Sequence, residues 1–262
     1  MSDTKDVPSA LMRQTLLDRE RVREATDVEH GPIRLLPWLD VVVLGGSTII
    51  DGGRETLLPV VDELRSLLRS HRMLILTGAG VRARHVLGVG LDLGLPTGAL
   101  AGLAATEAEQ NGHLVAALLA SEGVSYLPHG AVAGQLSVHL AAAPAVVSNG
   151  YPPYGVHEFT SRQTKLPRHR SDAGALLLAD ALGARSVTYV RDADALARFA
   201  GAERVSAKEL ATTDADLPLD RIVGELLERA KHVREVRVVD GTTRGQISSA
   251  VAGEPAGVTV HA

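Results

Sequence analysis

Short apolar runs alternate along this chain with longer stretches whose apolar residues recur every three or four positions. "DVVVLGG" (40–46) predicts a buried strand. "RETLLPVVDELRSLLRSH" (54–71) predicts a helix carrying Leu57, Val60, Val61, Leu64, Leu67 and Leu68 along one side. "RMLILTGAG" (72–80) is a second strand ending in a glycine turn; "VRARHVLGVGLDLG" and a long helix over "AGLAATEAEQNGHLVAALLASEG" follow it. "VSYLPHG" and "PAVVSNG" predict two further strands, with "GQLSVHLA" as a helix between them. "SDAGALLLADALGA" predicts a helix capped by Ser171 or Asp172 and stopped by Gly183. "RSVTYV" is another strand, and the tail adds a helix over "LPLDRIVGELLERAKHV" and strands in "REVRVVD" and "GVTVHA". Strands of this kind separated by helices predict a three-layer α/β/α sandwich with a largely parallel central sheet.

The opening residues follow a different pattern. One short amphipathic helix is expected over residues 11–23, within an N-terminal extension of residues 1–30, leaving residues 31–262 as a single domain. With 45% hydrophobic residues, a chain of this length supports one sizeable core. The net charge of -4 comes from dispersed residues, and no basic stripe points to nucleic acid. Charges interrupt every apolar stretch, so no membrane partner is expected, and the acidic opening lacks the apolar core of a signal peptide. Cysteine is absent, which excludes disulfides and thiolate chemistry and fits a cytoplasmic location.

Candidate chemistry begins where the first two strands end. Gly45 and Gly46, and Gly78 and Gly80 in "TGAG", lack the Cβ that would keep a loop from closing over an oxyanion. Their backbone amides and the helices that follow can donate to phosphate or to any tetrahedral oxyanion. The same glycines also read as plain tight turns. Ser47 and Thr48 add uncharged donors, while Arg82 and Arg84, just past "TGAG", supply charge where an anion would meet them or else belong to a solvated helix face.

"VVVLGG", "HRMLILTGAGVRARHVLGVGLDLGLPTGALAGLAATEAEQNGHLVAALLASEGVSYLPH", "YPPYGVHEFTSRQTKLPRHRSDAGALLLADALGA" and "AKHVREVRVVDG" together resemble the bacterial molybdenum storage proteins. These belong to the amino-acid kinase superfamily, whose nearest enzymes to them are the bacterial UMP kinases. The resemblance runs over about residues 32–260. It implies the family fold, a hexameric cage, storage of molybdate or tungstate as polynuclear oxide clusters, and ATP with Mg²⁺ used in loading. It also exposes departures. Val43 stands where the family's "KxGG" loop carries lysine, and "RDADALARFAG" replaces a "DGxYTADP" element that frames the nucleotide, keeping only Asp192 and Asp194. Phosphoryl transfer depends on charge stabilisation, so efficient kinase activity is not expected. Asp172 matches the family aspartate at its helix start, where it caps the helix or helps to hold Mg²⁺.

The resemblance also draws attention to histidines. His113, His129, His139, His157 and His169 fall in segments similar to cage-facing parts of the storage proteins. His129, His139 and His157 are the foremost candidates to hold molybdate or tungstate oxides, as neutral ligands or as imidazolium donors. None forms a compact metal signature, and each also reads as an ordinary surface or core histidine. Three functions stay open: an oxoanion storage subunit in a homo-hexamer or beside a related subunit, a UMP kinase-like enzyme, and a non-catalytic partner.

Overall fold

Every residue of Leu39–Leu44 (β1) is buried, so this strand needs cover on both faces. The computed structural model describes residues 33–161 and 164–262, and Arg34–Ala262 form one compact unit. The helix expected over residues 11–23 and the boundary expected at residue 30 lie outside the described residues. After β1 come β2 (Arg72–Thr77), β3 (Ser125–Tyr126), β4 (Ala145–Asn149), β5 (Ser186–Arg191), β6 (Arg204–Ser206), β7 (Glu235–Asp240) and β8 (Val258–His261). Among the described residues these make one eight-stranded sheet in the order β3-β4-β2-β1-β5-β7-β8-β6. The β7–β8 pair is antiparallel; the other neighbours run parallel.

Strand alternation divides the core into two faces. Val41, Val43, Leu74, Leu76, Val187 and Tyr189 point to one of them. That face lies under α4 (His129–Ala142), α5 (Ser171–Leu182), α7 (Ala207–Thr212) and α8 (Arg221–Arg229). Val42, Leu44, Met73, Ile75 and Val190 point to the other. It is covered by α1 (Arg54–Leu67), the end of α3 (Thr97–Leu118) and α9 (Gln246–Ala252). The chain is therefore the three-layer α/β/α sandwich that its hydrophobic pattern predicts. After the turn that ends β2, α2 (Arg82–Asp92) packs on α3.

Several local expectations change. Arg170, not Ser171 or Asp172, occupies the cap position of α5, and no side chain caps that end; Gly183 does stop the helix, at φ 64°. "VSYLPHG" gives only a two-residue strand, because Pro128 cannot continue the ladder and instead leads into α4, which begins at His129. Residues 193–212 hold α6 (Ala193–Ala197), β6 and α7, which were not anticipated. Asp192 caps α6 by accepting from the Ala195 amide at 2.8 Å, and Ser206 caps α7 through the Glu209 amide at 3.1 Å.

The order of the strands places a crevice. From β1 the chain builds β2, β3 and β4 on one side, then returns to lay β5 on the other. The β1/β5 border is thus a topological switch point, and open α/β sheets bind ligands beyond the carboxyl ends of the strands at such a point.

Glu63, buried in α1, holds the start of α9: it accepts from the Gly245 amide at 3.1 Å and from the Ser248 amide and hydroxyl at 2.7 and 2.8 Å. Replacing Glu63 by Ala strands these donors and should lower unfolding stability by about 1–3 kcal/mol. Urea denaturation measures this, and an unchanged midpoint would mean that the contacts hold nothing together.

Candidate functional site

The two glycine turns touch through their backbones. A Cβ on Gly46 would lie 2.1 Å from the Gly80 nitrogen, and a Cβ on Gly78 would lie 2.9 Å from the Gly46 nitrogen. Gly80 has φ +78°, open to glycine without strain. Asp51 fastens the second turn by accepting from the Val81 amide at 2.6 Å. The Gly45 amide donates to Val190 O and the Gly78 amide to Leu44 O, both at 3.0 Å, so these two extend the sheet and are not free for an anion. The first bonded amide of the turn after β1 is that of Ile49, to Gly45 O at 3.0 Å. The amides of Gly46, Ser47 and Thr48 precede it and carry no bond within the turn.

Beyond the turns lies a cavity of about 280 Å³, at the small end of ligand pockets. Gly45, Gly46, Ser47, Gly78, Gly80 and Asp172 all line it, so the structure brings together these expected site residues. Arg82 is not among them. It donates to Asn111 Oδ1 at 2.5 Å and pairs with Glu107 at 3.2 Å, both on α3. Arg84 does line the cavity, and among the described residues no carboxylate pairs with it.

Four charged residues in the cavity escaped sequence reasoning: Arg170, Arg191, Arg198 and Asp220. Arg191 is buried at the end of β5, and one of its guanidinium nitrogens reaches both oxygens of Asp172 at 2.8 Å. Its remaining nitrogens donate to Pro218 O at 2.9 Å and Val190 O at 3.0 Å. Arg170 pairs with Asp220. Both aspartates sit at helix starts, and Asp172 was expected to cap from its place in the sequence, yet neither side chain caps. Each turns inward to an arginine. Burial, and then the charge of Asp172, push the Asp220 carboxyl up to about 6 against the opposing pull of Arg170 and Arg191. Burial also raises the Tyr151 and Tyr189 hydroxyls, and Tyr189 donates to the Asp172 carbonyl at 2.8 Å.

Val43 lies in the core, paired in register with Tyr189. Arg191 stands two residues beyond Tyr189 on the same strand, hence on the same face of the sheet. A cation therefore enters the crevice from β5 although none comes from β1, and Asp172 already neutralises it. Asp192 is committed to capping α6.

The histidines do not converge. His129 is buried, and its Nδ1 lies 2.6 Å from Asn149 O, which makes Nδ1–H the donor and leaves Nε2 with the lone pair. Burial lowers its pKa, so this ring favours the neutral, ligating form over an imidazolium donor. It lines a separate hollow with Tyr126, Glu109 and Asn149. His139 lies on the same helix, about 15 Å further along its axis at the usual helical rise. His157 is exposed on the turn Gly155–His157. His113 stacks on Tyr126 with ring centroids 4.1 Å apart, and His169 lies 3.4 Å from Glu158. Among the described residues no group of three His, Cys, Asp or Glu side chains is placed to hold a metal ion. Nor is any helix among them long and apolar enough to cross a membrane.

Comparison with known proteins adds a lineage to this geometry. Residues 39–240 match the amino acid kinase family. The molybdenum storage protein subunit beta of Azotobacter vinelandii is 35% identical over 272 aligned positions, covering 100% of this chain and 99% of that one. Two solved structures share the fold. The uridylate kinase of Archaeoglobus fulgidus aligns at TM-score 0.64 and 19% identity over 84% of this chain and 99% of its own. The UMP kinase of Bacillus anthracis aligns at TM-score 0.63 and 13% identity over 86% and 96%.

Removing one member of a buried ion pair leaves the other without compensation. Arg191→Met should therefore cost about 3–5 kcal/mol of stability, and Arg191→Met with Asp172→Asn clearly less. Denaturant titration of both variants decides this; additive losses would show that the two side chains do not act as a pair.

Proposed function

The chain belongs to the amino acid kinase family, and from that premise we propose that it is a storage subunit, enclosing molybdate or tungstate as oxide clusters in an oligomeric cage. One observation carries the proposal: 35% identity to a molybdenum storage subunit along the full length of both chains. The assembly expected is a hexamer, built from this chain alone or beside a related, lysine-bearing subunit. His129, with Nε2 available as a ligand, is the best-prepared anchor for the metal oxide cargo. His139 and His157 serve it from separate positions, so a shared cluster needs either a large cargo or neighbouring subunits. Because burial disfavours protonation of His129, its ligating form persists to lower pH than that of a free imidazole.

The crevice argues against phosphoryl transfer. ATP with Mg²⁺ does not fit the residues present: Val43 offers the phosphates no charge, and the Asp172 carboxylate is held by Arg191. The small cavity at the glycine turns already holds its own compensated ion pairs. Loss of one charge-stabilising donor from such a site costs about 2.7–4 kcal/mol in a transition state. The UMP kinase-like reading is therefore set aside, and nucleotide handling in a mixed assembly falls to the other subunit.

Protein purified from molybdate-fed or tungstate-fed cells should carry several metal atoms per chain, as read by elemental mass spectrometry. A metal-free preparation, or a monomer by light scattering at micromolar concentration, would overturn the storage reading. Joint replacement of His129, His139 and His157 by Ala should lower the metal ratio with the assembly intact; an unchanged ratio removes these residues from the site.

Calorimetry with Mg-ATP should show weak binding or none for the isolated chain. A dissociation constant in the low micromolar range would contradict the account of the crevice.

A further inference from the structure

The amino ends of the central strands, at the other end of the sheet from the glycine turns, gather a second set of charges. The Asp40 carboxylate is fully buried there. It accepts from Arg185 Nε at 2.9 Å, from Arg185 Nη2 at 2.5 Å and from the Ser186 hydroxyl at 2.7 Å, with His71 Nδ1 at 3.0 Å. Ser186 gives its proton to the carboxylate and not to an imidazole, so this is no nucleophilic triad.

Beside the cluster lies a cavity of about 300 Å³, lined by His71, Arg185, Thr188, Glu235 and Arg237, with Ala250 and Val251 of α9 as its apolar part. Asp40 is not in the wall, so the Asp40–Arg185 pair turns its positive end to the cavity. Arg185 Nη1 makes no hydrogen bond among the described residues. Arg237 is seated on the carbonyls of Ala250, Gly253 and Glu254 at 3.0, 3.1 and 2.6 Å, and only the half-exposed Glu235 faces it, at 3.8 Å.

Thr188 marks this wall as more than a gap in the packing. It is fully buried in β5, in register with Val42 on one side and Arg237 on the other. Its hydroxyl has no hydrogen-bond partner among the described residues. A buried hydroxyl left alone costs free energy that valine, equally suited to a strand, would avoid.

We infer that this cavity binds a small organic acid, its carboxylate between Arg185 Nη1 and the Thr188 hydroxyl and its short carbon chain against Ala250 and Val251. Uncommitted N–H and O–H groups call for an acceptor, and guanidinium groups facing the space favour a charged one. The volume, at the lower limit of ligand pockets, keeps the acid small. The site shares no residue with the crevice at the glycine turns or with the histidines assigned to the cargo.

Butyrate is the probe, titrated into the full-length protein and followed by saturation-transfer NMR and calorimetry. It should saturate with a dissociation constant of about 1 mM. Butyramide, of the same size but uncharged, should bind about tenfold more weakly. Thr188→Val should weaken butyrate about tenfold while the urea midpoint holds or rises, because the variant removes an unpartnered hydroxyl. Glu235→Gln, which takes a negative charge from the wall, should tighten it up to about fivefold. Failure of butyrate to saturate overturns the inference and leaves the Thr188 hydroxyl to solvent. Butyramide binding as tightly as butyrate, or an unchanged affinity in Thr188→Val, overturns it as well. Inorganic phosphate that displaces butyrate at equal concentration would overturn the assignment to an organic acid.

Discussion

Gly46 and Gly80 approach until nothing larger than hydrogen fits between them, and the crevice depends on that contact. The turns after β1 and β2 can lie this close only because neither carries a side chain there. Asp51 then fixes the second turn against the first. With the ends of the two central strands drawn together, the sheet border at β5 opens beside them, and side chains from α5, β5 and the approach to α8 meet in one small space. Without the glycine contact there is no cavity for those charges to line.

The charges in that space come from chain segments far apart in sequence. Arg191 and Asp172 are 19 residues apart, Arg170 and Asp220 50 apart, and each pair ties a helix start to another element. Tying helices down in this way has a chemical side. Carboxylates that would otherwise receive a metal ion or repel an anion are compensated from within. The crevice lies beyond the sheet's switch point, and four of its charged side chains are already paired with one another, Arg191 with Asp172 and Arg170 with Asp220.

Much of the architecture was legible in the chain itself. Runs such as Val41, Val42 and Val43 announce strands buried on both faces, and Gly183 marks a helix end by the left-handed backbone that glycine allows. The pieces between residues 193 and 212 were not legible, because helices and strands of three to six residues are too short to show a period. The glycine half of the crevice could be read from residue type and spacing. Its charged half could not: Asp172 and Asp220 carry the local signature of helix caps, and a tertiary partner overrules that signature. Arg84 and Arg82 looked equivalent in sequence, yet helix geometry sends one over the cavity and the other to Asn111. For the histidines, sequence gave type and neighbourhood, while the hydrogen bond that selects the tautomer of His129 came only with the fold.

The position of β8 has a consequence for the order of folding. It lies between β7 and β6 and follows both in sequence, pairing antiparallel with one and parallel with the other. Until Val258–His261 has emerged, β6 has no neighbour in the sheet and β7 ends it as an open edge. A chain leaving the ribosome therefore completes the glycine crevice, whose strands come early, well before it closes this border. During that interval the exposed edge of β7 can pair with another chain, as unprotected edges do. The rate at which β8 inserts then sets how long the nascent protein stays open to mispairing.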